Sequence, residues 1–150
     1  MTLREKLEDD IRAAMRSRDQ ERLGTLRYLK SQIQLVEKDQ LKILDETGLI
    51  EVIARQAKDR RESRQMFQDG NRPDLVAKES AALAVLEEYL PAQLSREELV
   101  HLIKEAIRET AASSARDRGK VMGRIMPQVR GRADGAQVNA LVSELLEGAG

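Results

Sequence analysis

Six cationic side chains crowd residues 116 to 132: Arg116, Arg118, Lys120, Arg124, Arg130 and Arg132, against one acid, Asp117. Within and beside them runs "GKVMGRIMPQVRGRADG", residues 119–135, which holds four of the chain's nine glycines and places Pro127 inside an apolar helical pattern. Glycine and proline cost a helix interior roughly 1 and 3 kcal/mol relative to alanine, so their retention needs a cause. Gly119 and Gly123 are four apart and share a helix face, where the lack of a side chain lets a helix or a phosphate chain approach. Cations, bare backbone and helix N-terminal amides together make a phosphate-binding chemistry. A structural reading stands beside it. Gly131 suits a left-handed position after a helix, Gly135 follows a possible Asp134 cap, and Pro127 predicts a kink or an early stop. The helix macrodipole explains Arg130 and Arg132 near a C-terminus, yet it disfavours Arg116, Arg118 and Lys120 near an N-terminus.

Other chemistries find little support. The chain has no cysteine, which removes disulfides, thiolate metal sites and cysteine nucleophiles. Its lone histidine, His101, falls about opposite Leu99 and Ile103 on its helix and is expected to face solvent. Ser95, Ser113 and Ser114 occupy capping or loop positions. "GKVMG" lacks the glycine spacing and Lys-Ser/Thr pair of a nucleotide phosphate loop. Asp9-Asp10, Glu87-Glu88 and Glu97-Glu98 are sequence neighbours, and neighbours on a helix point apart. No autonomous catalytic centre, cofactor or metal site is expected.

Lys+Arg 26 balances Asp+Glu 26, so any anionic partner must be held by a local patch rather than a global field. Aromatic residues are 2%, too few for a strand-binding surface built on several stacking rings. The N-terminal "MTLREKLEDDIRAAMRS" carries charges throughout and does not read as a signal peptide, and no run is long enough to span a bilayer. A soluble cytoplasmic protein is the expectation.

The elements that must position the basic block are all helical, and the pattern predicts an all-α fold. Leu3, Leu7, Ile11 and Met15 stripe a first helix, and Leu23, Leu26, Leu29, Ile33 and Val36 a second that Asp19 can cap. Gly48 is expected to break the chain before a third helix. That helix loses its apolar face at "KDRRESRQ", residues 58–65, which should be solvated around its whole girth or project beyond the core. Gly70 suits its C-terminal cap and Pro73 opens a fourth helix, giving a long antiparallel hairpin. Pro91 marks the end of an N-terminal four-helix subdomain, residues 1–91. Ser95 with Glu98 then opens a C-terminal three-helix bundle, residues 95–150, with the basic block in its middle helix and Val138, Leu141, Val142 and Leu145 in its last.

"DRGKVMGRIMPQVRGRADGAQVNALV" resembles the signature block of the YqeY family, which is related to the C-terminal tail domain of the B subunit of glutamine-dependent tRNA amidotransferase. "SRDQERLGTLRYLKSQI", "KDRRESRQMFQDGNRPDLVAKE" and "YLPAQLSREEL" resemble the family's earlier blocks, so the likeness covers nearly the whole chain. "ETAASSARD" departs from it in lacking a glycine near Ala111. The resemblance implies the same two-part helical fold and a tRNA partner, with Gly119, Lys120, Gly123, Arg130, Gly131 and Arg132 on the tRNA-facing surface. It also implies a family-level link to carbon–nitrogen ligase activity with glutamine as amido donor, an activity whose catalytic parts lie in the larger enzyme. The expected role is a non-catalytic tRNA-binding accessory module, acting alone or with an amidotransferase. The alternative is a helical adaptor that docks on a protein.

Overall fold

The computed structural model describes residues 1–149. Among them, all regular structure is helical, as expected: α1 (Leu3–Ser17), α2 (Gln20–Gln40), α3 (Glu46–Asp69), α4 (Pro73–Glu87), α5 (Arg96–Thr110), α6 (Arg118–Val129) and α7 (Gly135–Ala149), with one 3₁₀ turn at Ala115–Asp117. Local sequence fixes the starts. Thr2 and Glu5 form a reciprocal capping box on α1, Asp19 accepts from the Arg22 amide at 3.2 Å, and Ser95 accepts from the Glu98 amide at 3.1 Å. Each such cap satisfies an amide that the helix leaves without an internal partner.

The chain forms two compact units, one from Met1 to Leu90 and one from Pro91 onward. The first buries Leu7, Ile11, Leu26, Leu29, Ile33, Leu49, Ile53 and Leu86 in one core. In α1 the buried stripe ends on Ala14, while Met15, expected inside, is 51% exposed. Gly48 is no helix breaker: it sits in the first turn of α3, where its amide donates to the Asp45 cap at 2.8 Å. The break falls earlier, at Leu41, whose left-handed backbone (φ 53°) ends α2.

"KDRRESRQ" also differs from expectation. It does extend past Ala57, the last buried residue of α3, but it is not solvated all round. Lys58, Arg60, Arg61, Ser63 and Arg64 are half-buried, and Arg60 pairs with Glu79 of α4 at 3.2 Å. A polar stripe here is covered by a polar partner, which hydrophobic periodicity cannot register. The left-handed residue after α3 is Asn71 (φ 54°), not Gly70 (φ −83°). The Arg72 amide donates back to the Phe67 carbonyl at 2.8 Å, a Schellman closure with asparagine in place of glycine.

The second unit has its own core, with Leu99, Ile103 and Ala106 from α5, Val121, Ile125 and Val129 from α6, and Val138, Leu141, Val142 and Leu146 from α7. Leu145, expected in the stripe, packs only at its margin. The short segment before α5 is tied into this unit. The Leu94 amide donates to the Arg132 carbonyl at 2.8 Å, and Gln93 Nε2 donates to the Gly131 carbonyl at 2.8 Å. Pro127 lies inside α6, which stops two residues later at Val129.

Candidate nucleic-acid interface

The geometry of the basic block follows from the amphipathic character of α6. Val121, Ile125 and Val129 are fully buried, so the helix face across from them must meet solvent. Gly119, Lys120, Gly123, Arg124 and Pro127 are all exposed there. A β-carbon added at Gly119 or Gly123 would meet nothing within 4 Å. Packing inside the chain therefore calls for neither glycine. The helix–helix explanation, which fits the sequence equally well, finds no partner among the described residues of this unit. Gly131 is different: it is buried with φ 76°, where a side chain would be strained, and it serves the turn after α6.

The six cations divide. Arg116, in the turn leading into α6, and Lys120 are exposed, and among the described residues neither makes an ion pair. Lys120 lies on α6 with Gly119 and Gly123, whereas Arg116 sits in the 3₁₀ turn that precedes the helix. Arg124 borders that face and pairs with Glu109 of α5 at 2.6 Å; both side chains are about half-exposed, a surface pair of small net worth that an incoming phosphate can replace. Arg118 leaves the group, its guanidinium donating to the Asn139 side chain of α7. Arg130 is exposed at the C-terminal cap of α6. Arg132 is half-buried and donates from Nε to the Ala92 carbonyl at 3.0 Å, a bond that closes the start of the unit.

The single acid is tied down. Asp117 accepts from the Ser113 amide at 2.9 Å, and that bond, helped by the nearby Lys120 charge, holds its carboxyl below the usual carboxylate range. It gives α6 no side-chain cap, and the first turn of α6 contains no acid. Asn139 and Glu109, which decide the fate of two arginines, lie on other helices. No local pattern could have singled them out. His101 is exposed on α5, and among the described residues no group of three or more His, Cys, Asp or Glu could hold a metal ion.

Unit one holds a second polar assembly that the sequence did not announce. The Tyr89 hydroxyl donates to Asp10, Arg22 pairs with Glu88 at 2.7 Å, and the Lys6 ammonium lies 4.4 Å from the Tyr89 ring centroid. Burial, then the Asp10 hydrogen bond, pushes the Tyr89 phenol well above its usual value. These bonds fasten the end of α4 to α1 and α2, a structural rather than a chemical task.

Together these features define an all-helical protein with one bare, cationic helix face. A family model for YqeY-like proteins matches residues 4–146, and the chain belongs to the YqeY family. It is also similar to a protein of Pyrenophora tritici-repentis (strain Pt-1C-BFP) named "Altered inheritance of mitochondria protein 41, mitochondrial", with 33% identity over 145 residues that cover 94% of this chain and 79% of the relative. Among the described residues no helix is long and apolar enough to cross a membrane.

Proposed function

We propose that this protein is a non-catalytic tRNA-binding module that reads RNA through its phosphate backbone and shape. Its concrete role would be accessory to glutamine-dependent tRNA amidation, with an amidotransferase as a protein partner and the cytoplasm as its compartment. One observation carries the reading: Gly119, Lys120 and Gly123 are exposed on α6 with open space at both glycines, and Arg116 stands exposed in the turn just before them. Arg124 and Arg130 extend it, whereas Arg118, Gly131 and Arg132 act behind it by holding the unit's turns and its third helix.

Fluorescence anisotropy of labelled tRNA from low to physiological salt tests this. Each phosphate neutralised contributes about −0.7 to −0.9 to the log–log slope, so binding should steepen with the cations engaged. Arg116→Gln with Lys120→Gln should flatten that slope by about two contacts' worth. Salt-independent binding, or none, would sink the proposal.

The adaptor reading has an observation of its own. Leu35, Leu41 and Ile43 are 51%, 90% and 76% exposed beside the groove between α2 and α3. Large aliphatic side chains grouped in water mark protein-contact surfaces. A partner retained through nuclease and high salt, and lost with Leu41→Ser and Ile43→Ser, would favour it.

A further inference from the structure

Between α2 and α4 of the first unit lies a groove of about 640 Å³ that none of the roles above uses. Its floor is short-chained, with Gly24 on α2 and Ala81 and Ala82 on α4. A β-carbon at Gly24 would meet nothing within 4 Å, although a glycine inside a 21-residue helix costs roughly 1 kcal/mol. One turn further, Tyr28 stands 48% exposed, and among the described residues its hydroxyl has no hydrogen-bond partner. Helical side chains lean toward the N-terminus, so the Tyr28 ring and the bare turn at Gly24 flank the same space.

Arg60 reaches from α3 to within 5.7 Å of the Tyr28 ring centroid, and Glu79 holds it there at 3.2 Å. The Arg60 guanidinium thus lies over one face of the Tyr28 ring. Charges around the groove nearly cancel: Arg22 is paired with Glu88 and Arg60 with Glu79, and the other charged lining residues are Lys78, Glu21 and Asp19. Such a groove has little pull on a bare phosphate, whereas any nucleobase has a π-face that can stack on tyrosine.

The geometry points to a stacking subsite for one unpaired nucleobase, with Tyr28 as its platform and the Arg60 guanidinium over the ring's other face. One ring limits the site to one base, which agrees with a chain too poor in aromatics to bind a longer single strand. The inference deepens the tRNA reading and rests on it for the macromolecule, but the chemistry can be probed with a mononucleotide.

The test uses the full chain and two titrations. With two tyrosines and one phenylalanine, the aromatic proton spectrum is sparse, and Tyr28→Ala assigns it. Adenosine 5′-monophosphate should shift the Tyr28 ring protons upfield and leave buried Tyr89 unmoved; inorganic phosphate at equal concentration should shift neither. In tRNA anisotropy, Tyr28→Ala should weaken binding about tenfold or more with an unchanged salt slope, and Tyr28→Phe should bind like wild type. A Tyr28 ring that ignores the nucleotide overturns the subsite. So does a Tyr28→Ala variant that binds tRNA normally while Lys120→Gln does not, an outcome that leaves the phosphate-reading face standing. Nucleotide-induced shifts without any tRNA binding uphold the subsite and sink the tRNA reading instead. A protein partner lost with Tyr28→Ala, with the nucleotide inert, makes the groove a protein site and overturns the inference.

Discussion

Gly119 and Gly123 weaken the helix they occupy, and among the described residues an added β-carbon at either would meet nothing within 4 Å. Their physical signature is therefore a conflict between stability and binding. Gly123→Ala fills open space and restores helix propensity, so it should stabilise the protein by about 0.5–1 kcal/mol. The same methyl group stands on the proposed RNA face and should lower tRNA affinity. Chemical denaturation and anisotropy on one preparation check both halves; higher stability with unchanged affinity would remove the glycine face from the interface. Ala111 shows the opposite case. It adopts φ 53° at the end of α5, at the place where the family pattern suggested a glycine. Ala111→Gly should stabilise by about 1 kcal/mol, read as a higher denaturation midpoint, because a β-carbon is disfavoured in the left-handed region. Single residues were thus unequally legible. Gly131 announced its left-handed turn, but Gly70 did not, since Asn71 beside it takes that conformation instead.

At the scale of elements, the helices of the first unit are joined by carboxylates whose ionisation matters. Glu37 on α2 accepts from the Leu44 amide at 2.8 Å and pairs with Arg4 of α1 at 2.6 Å. The backbone hydrogen bond first, then Arg4, holds its carboxyl below the ordinary 4.5, against the effect of burial. Glu88 is lowered likewise, chiefly by its bond to Arg22. A folded-state value below the unfolded one gives stability that is complete above the unfolded value and lost as pH falls through the folded one. Thermal stability should therefore fall below about pH 4.5. Glu37→Gln should cost about 1–2 kcal/mol at neutral pH and show a shallower acid limb; melting temperature against pH checks both. Tyr89 works in the other direction. Its raised value contributes stability that is complete below its ordinary 10.0 and is lost as pH rises beyond it, a limb that Tyr89→Phe should remove. Caps and apolar stripes were readable because they are local. The Arg4–Glu37, Arg22–Glu88 and Tyr89–Asp10 joints were not, because each pairs residues that only tertiary folding brings together.

Over the whole molecule, two separate cores mean that stability and function need not share one cooperative unit. The units part between Leu90 and Pro91, and α4 ends at Glu87, three residues before Leu90, where proline acting on its neighbour's backbone would have stopped it. The membership of 92–94 was not visible, since it depends on hydrogen bonds to Gly131 and Arg132 about forty residues away in sequence. A fragment beginning at Pro91 keeps those bonds, and one beginning at Ser95 loses them. At roughly 60 residues the unit is near the lower size limit for an independent fold, so the loss should be plain. We expect the Pro91 fragment to unfold cooperatively and the Ser95 fragment to be less stable by about 1–3 kcal/mol. The same pair of fragments apportions binding. If the α6 face is the phosphate reader, the Pro91 fragment keeps the full salt slope of the intact chain. If Tyr28 also holds a base, the fragment's affinity falls by the factor that Tyr28→Ala costs the intact protein, because both remove the same contact. A fragment that matches the intact chain in both slope and affinity confines recognition to the second unit. A folded fragment with no salt-dependent binding takes the α6 face out of the mechanism altogether.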